Sequence, residues 1–331
     1  MLPSQARILQ RFLHETDAAP AAEYLKWDIP AELVQSPAVE YRNQFATALS
    51  RMPADEIVRC YVYMSCDSMQ RLVSTACSVL QFQPRGTGLD AGAGCGLLGS
   101  TVARYREVDT VYALEICETM VGRVMPKVAR RVLGPDARKL VGVCGSFDDI
   151  ELPAGSVDFI VEIDSLHHSD DLERTLRECA RVLRPGGRML CFDRCHPDSM
   201  TDQEIEGMLS QVYSEAFLKK NHYPLGIRLT RRANGEHELR LREWKAAFQA
   251  AGLKLDGARK FVQQIRPELA LKGCLNVLPK FVKKRLYKSD NADLRTTLQW
   301  LCQPLLLRDK DPDFGTPVLA PKSTTVFLLT R

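Results

Sequence analysis

Apolar residues recur at helical spacing over residues 5–15, 37–51 and 53–80, so residues 1–82 read as a helical cap. From about Thr87 to Asp193 the pattern changes to short apolar runs alternating with helical stretches, which predicts parallel strands joined by right-handed crossovers. This core spans residues 83–194. After it the rhythm breaks, and residues 195–238 are polar and only partly helical, the pattern of an insertion placed as a substrate lid. A second interruption covers residues 264–321. The last run, STTVFLLT from Ser323 to Thr330, is β-rich and makes residues 322–331 the final strand. Within the cap, Tyr24 and Trp27 sit beside the Pro30 break, where aromatic side chains serve either as core or as a wall for substrate.

The densest local signal is GLDAGAGCGLLGS, Gly88 to Ser100. It reads as a short buried strand ending in a carboxylate, Asp90, and a turn in which Gly92, Gly94 and Gly96 alternate with other residues, Ala93 among them. Glycine at such steps lets the backbone turn sharply and approach a ligand that a Cβ would push away. The helix expected over residues 96–105 points its first amides at the same spot. Gly94, Gly96 and Gly99 also satisfy the G-x-G-x-x-G of a dinucleotide site, with Glu115 as its ribose acid. However, the strand stops near Asp90, so the first tight turn falls at Gly92 and the third glycine arrives one step early for that fingerprint.

The pattern D-x-G-x-G-x-G resembles motif I of the class I S-adenosylmethionine (SAM) methyltransferases, and further blocks follow in the family's order. VYALEICETM, Val111 to Met120, is similar to the second strand, GSFDDIELPAGSVDFIVEIDSLHH to the adenine-side loop, fourth strand and His pair, and RVLRPGGRMLCFD to the helix, Pro-Gly-Gly turn and fifth strand. HELRLREWKAAFQAAGLKLDGARKF, His237 to Phe261, resembles the next helix and sixth strand, which are placed in residues 239–263. The likeness is to the small-molecule, type 11 branch. It implies an α/β, Rossmann-like sheet of seven strands, mostly parallel with the last antiparallel, carrying a helical N-terminal cap and two insertions. It implies SAM as cofactor and S-adenosylhomocysteine (SAH) as product. By the same resemblance, Asp90, Gly92, Ala93, Gly94 and Gly96 form the cofactor turn, and Glu115, with Ile116 beside it, takes the ribose hydroxyls. Relatives often carry an acid where this chain has Ser146; Phe147 and Asp148 follow, placed to meet the adenine. Glu162 falls near the methionyl part.

Composition fits such a protein. The chain has 331 residues, 45% hydrophobic and 26% charged, enough to bury a large core. No apolar run approaches the roughly 18 residues of a membrane span, and the first residues lack a signal peptide's apolar stretch. The eleven scattered cysteines imply a reducing cytosol, and Cys191, Cys195 and His196 read as strand-end side chains rather than a metal site. Net charge is +4, but basicity is local: Lys219, Lys220, Arg228, Arg231 and Arg232 in the first insertion, and Lys272, Lys280, Lys283, Lys284, Arg285 and Lys288 in the second. Such stretches suit a phosphate-bearing or lipid-linked acceptor, an anionic membrane face or nucleic acid, or are simply solvated. Nucleic acid ranks low, because no Asn-Pro-Pro-Tyr-like tetrapeptide follows the fourth strand.

Methyl transfer to a hydroxyl requires in-line alignment and a base for the proton. The candidates follow the fourth strand: Asp164, His167 and His168, with His168 preferred as base and Asp164 placed to orient a His. Asp193, Arg194 and His196, at the end of the fifth strand, come second as acceptor contacts. The expected activity is O-methylation of a small molecule, sugar or lipid-linked acceptor; the alternatives are methylation of RNA or protein, or SAM binding without catalysis.

Overall fold

Ser36 accepts the Val39 N–H and Pro37 occupies the first helical position, and this pair starts the longest helix of the cap's first half. The computed structural model describes residues 23–62, 65–220, 223–262 and 323–331. The second basic insertion and the expected helix over residues 5–15 lie outside the described residues. In the cap, a single helical turn α1 (Ala31–Val34) leads to α2 (Pro37–Leu49), α3 (Ala54–Tyr61) and α4 (Cys66–Val79), the last capped by Ser65.

The sheet contains β1 (Leu25–Lys26), β2 (Gly86–Ala91), β3 (Val108–Glu115), β4 (Leu140–Cys144), β5 (Val157–Ile163), β6 (Leu183–Arg194), β7 (Lys254–Val262) and β8 (Ser323–Thr330). Their order is β1-β4-β3-β2-β5-β6-β8-β7, with only β8 running antiparallel to its neighbours. Helices α5 (Leu97–Ala103), α6 (Met125–Leu133) and α7 (Leu172–Val182) supply the crossovers, and α10 (Leu241–Ala250) precedes β7. The first insertion carries α8 (Asp202–Leu209) and α9 (Glu215–Lys220).

The sheet is buried on both faces, which is why its strands read as continuous apolar runs. Along β5, Phe159 and Val161 join one core with Leu49, Met69 and Leu97, whereas Ile160 joins another with Leu176, Trp244 and Phe327. The strand order reverses at β2, between β3 and β5, and their carboxyl ends open the crevice where such folds hold ligands.

Two expectations need correction. Among the described residues the sheet has eight strands rather than seven, because Leu25 and Lys26 pair with Val143 and Cys144 at the β4 edge. Both side chains are exposed, so no alternation marks that strand; the neighbouring Trp27 anchors it by burying against Gly145. The Pro-Gly-Gly turn is likewise a bulge within β6: Val157 pairs with Leu183 and Phe159 already with Arg188.

Candidate active site

The glycine turn after β2 has the backbone its sequence demands. Gly92, Gly94 and Gly96 have φ of 73°, 52° and 77°, and a Cβ on them would lie 2.5 Å from Ser165, 2.7 Å from the Tyr61 ring and 2.5 Å from Met125. Ser165 locks the turn to the end of β5, donating from Oγ to the Ala91 carbonyl at 2.7 Å. Glu115, at the end of β3, accepts from the Gly94 N–H at 2.9 Å and from the Cys117 N–H at 3.0 Å. Each of its oxygens keeps a lone pair for a ligand hydroxyl.

Asp90 is fully buried behind this turn. Its Oδ2 accepts the Gly99 N–H of α5 at 2.7 Å, while Oδ1 has no hydrogen-bond partner. Burial pushes its carboxyl up to about 7, against the pull of the Gly99 amide. Its contacts are those of a residue bracing the turn. Glu162 also faces inward: its carboxyl accepts from Ser165 Oγ at 2.8 Å and from the Cys191 thiol at 2.7 Å, and burial drives its pKa well up. In the loop after β4, Ser146 Oγ accepts the Asp148 N–H, and the Asp148 carboxylate accepts from Thr175 of α7. Phe147 packs against the Trp27 core, and its ring would lie 3.7 Å from a Cβ on Gly92. Ile116 offers its carbonyl to the Cys144 thiol at 3.7 Å. Tyr24 donates to Glu118, and Trp27 is buried in the core beside Leu114 and Val143.

Beyond β5, Asp164 adopts a left-handed conformation (φ 53°), a strain typical of functional turns. Its carboxylate is 3.4 Å from Arg194 Nε and 3.8 Å from His167 Nδ1. The two histidines then divide sharply. His167 is buried, with Nδ1 2.6 Å from Asp193 Oδ1, and Arg194 donates to its Nε2. Burial opposes the imidazolium, but the Asp193 charge overrides it and raises the His167 pKa. Both ring nitrogens are engaged. His168 donates from Nδ1 to the Gly235 carbonyl at 2.8 Å, which selects the tautomer with a basic Nε2. Burial, followed by the nearby His167 and Arg42, holds its pKa well below the ordinary value, so the ring is neutral at neutral pH.

The insertion returns over these residues. His237 N–H donates to the His167 carbonyl at 3.0 Å, and His196 bridges in parallel to Arg240. Arg194 meets Glu236 and Glu238, Arg231 pairs with Glu238, and His196 Nε2 is 2.5 Å from Glu238. The Glu236 carboxyl falls to about 2: burial raises it, and the charge and hydrogen bond of Arg194 help to outweigh burial. Thus acids close in space, though not in sequence, neutralise Arg231 and, through Glu206, Arg232. Cys191 and Cys195 point to Glu162 and to the His196 carbonyl, and form no metal site with His196 among the described residues.

Residues 89–191 match the family model described as "Methyltransferase domain". Over these residues the chain carries the likeness of a methyltransferase domain. The methyltransferase domain is similar to the sarcosine/dimethylglycine N-methyltransferase of Halorhodospira halochloris, 32% identical over 49% of this chain and 57% of that protein. It also resembles the malonyl-[acyl-carrier protein] O-methyltransferase of Methylovorus sp. (strain MP688), 32% identical over 34% of this chain and 38% of that one. A third relative is the ubiquinone/menaquinone biosynthesis C-methyltransferase of Methylobacterium nodulans, 30% identical over 33% and 42% of the two chains. These matches thus span about half the length of the relatives, or less, and their names include N-, O- and C-directed enzymes.

The methyltransferase domain is covered by residues that no motif announced. Tyr61 of α3 lies over Gly94, and Phe45 of α2 stacks on Tyr61 with ring centroids 6.2 Å apart. Tyr41, one helical turn before Phe45, meets Tyr223 of the insertion at 4.7 Å. Tyr223 continues into Phe217 and Tyr213, and Tyr213 donates to Glu236 at 3.2 Å. The only available signal was the spacing of Tyr41 and Phe45, which equally describes a core stripe.

Proposed function

We propose that this protein transfers a methyl group from SAM to a hydroxyl of a small acceptor held under the insertion. The observation that carries the proposal is Glu115 bridging to a glycine turn of three positive-φ residues at the sheet's switch point. The residues fit the cofactor. A Cβ would fill the cradle, the Asp90 carboxyl braces it with one oxygen unpartnered, and Glu115 keeps lone pairs for two neighbouring hydroxyls. Bound there, the cofactor supplies an activated methyl group on a sulfonium.

The chain's own residues do the rest. Glu115 fixes the ribose, and the Gly92–Gly96 backbone lets the amino-acid end approach. Tyr61 and Phe45 roof the turn and exclude water. His168, tethered by Gly235, takes the acceptor's proton on Nε2; a neutral base matters most for a hydroxyl, which is protonated at neutral pH. His167 has no free nitrogen, so its part is to seat the return strand through Asp193 and Arg194. Asp164, paired with Arg194, shapes the mouth of the site. Alignment of acceptor and methyl is worth on the order of 7–11 kcal/mol when the geometry is right.

The experiment is incubation of the full chain with methyl-labelled SAM and extract, followed by separation into metabolite, lipid, glycan, nucleic acid and protein fractions. Label in the metabolite fraction, stable to conditions that cleave methyl esters, supports a small hydroxyl acceptor. Label confined to nucleic acid or protein contradicts it.

A further inference from the structure

Five acids described around the cleft are already committed. Glu115 holds two backbone amides, Asp193 holds His167 and the Arg194 N–H, and Asp164, Glu236 and Glu238 hold Arg194, Arg231, His196 and Tyr213. Among the described residues, Arg42 takes part in none of these pairs. Arg42 of α2 is half-buried, and among the described residues it has neither a salt bridge nor a hydrogen-bonded carboxylate.

Its neighbours on the helix fix where it stands. Tyr41 touches Tyr223 of the insertion, Asn43 accepts from the Cys117 thiol at 3.0 Å, and Phe45 stacks on Tyr61. This stretch of α2 therefore lies between the roof of the glycine turn and the insertion. The surrounding groups register its charge. Burial drives the Tyr61 and Tyr223 phenols and the Cys117 thiol upward while Arg42 pulls each down, and at His168 Arg42 adds to the lowering by burial and His167. A half-buried guanidinium without a carboxylate is a costly arrangement unless an anion completes it.

We propose that Arg42 is an anion receptor that binds the carboxylate of a small acid acceptor and so presents the acceptor's nucleophilic atom to His168. The acceptor is assigned as the source of the carboxylate because His168 and Tyr223 come from the turn after β5 and from the insertion, the parts that enclose an acceptor. The planar fork of Arg suits a carboxylate, and Tyr41, its neighbour on α2, meets the Tyr223 ring of the insertion. The proposal rests on the methyltransferase reading above.

The test uses the full chain loaded with SAH and two ¹⁹F-labelled probes, 4-fluorobenzoate and its neutral amide. Wild type should bind SAH and prefer the carboxylate probe by about tenfold or more, the factor a charge-assisted pair contributes. Arg42→Gln should abolish the preference and leave SAH affinity within about threefold, less than the loss of a single hydrogen bond to a charged group. Arg42→Lys keeps the charge and serves if Arg42→Gln does not fold; its preference should fall below wild type because an ammonium cannot form the fork. An unchanged preference in these variants, or none in SAH-loaded wild type, would overturn the proposal. A tenfold loss of SAH affinity in Arg42→Gln would also overturn it, by assigning the carboxylate to the cofactor. If wild type fails to bind SAH, the methyltransferase reading itself falls.

Discussion

The two walls of the crevice are built by different means. The cofactor wall is local backbone: three left-handed glycines, the Asp90 carboxylate on the Gly99 amide and Glu115 on the Gly94 amide all lie between residues 90 and 115. The wall we assign to the acceptor is assembled from side chains distant in the chain, with Arg194 on Glu236, His168 on Gly235 and Tyr41 on Tyr223. A backbone cradle tolerates few sequences, because any Cβ there collides or strains the turn. A wall of charge pairs and rings admits many, which is how one cofactor fold accommodates different acceptors.

Substitutions should separate the walls, and the largest effect belongs to the acceptor side. His168→Gln should lower kcat by about 10²–10⁴ and leave SAH binding unchanged, as expected for loss of a base. Because the His168 pKa lies well below the ordinary imidazole value, the wild-type rate should be flat through neutrality, with its acid limb below that value. A limb near the ordinary value would assign the proton to another group.

Glu236→Gln removes the acid shared by Arg194, Tyr213 and Arg231 and should cost roughly 2–3 kcal/mol in urea unfolding at neutral pH. The Glu236 folded pKa lies below its unfolded value, so its contribution is complete above the ordinary glutamate range and fades as pH falls toward about 2. The deficit of the variant should shrink over that interval.

Asp90→Asn should have the smallest effect on stability, with the opposite sign of pH dependence. The Asp90 folded pKa is raised to about 7, so ionisation costs the native state progressively as pH rises from the ordinary carboxylate range to about 7. The variant should therefore compare better with wild type at pH 8 than at pH 5, by about 1 kcal/mol or more, as a shift of one unit corresponds to 1.36 kcal/mol. A variant that compares worse at pH 8 would show that ionised Asp90 supports the turn.

The same division explains what the sequence revealed. The glycine turn and its acid were legible because local conformation dictates those residue types, and the strand rhythm was legible because burial on both faces leaves long apolar runs. β1 was not, since its two exposed residues pair only through backbone. Sequence order placed His167 and His168 side by side as candidates, but only the fold shows that Asp193 and Arg194 occupy one ring while Gly235 orients the other. Asp90 and Glu162 occupy the expected positions, yet their carboxyls turn to Gly99 and to Ser165 and Cys191. Arg42 and Tyr61 belong to no motif, because what sets them apart is the partner each lacks or covers.

The central claim is that the glycine turn with Glu115 is a SAM site, and calorimetric titration with SAH tests it most directly. The full chain should bind one SAH, and Glu115→Ala should weaken binding by about a hundredfold, the loss expected for two charge-assisted hydrogen bonds. No binding by wild type, or equal affinity in the variant, would contradict the account.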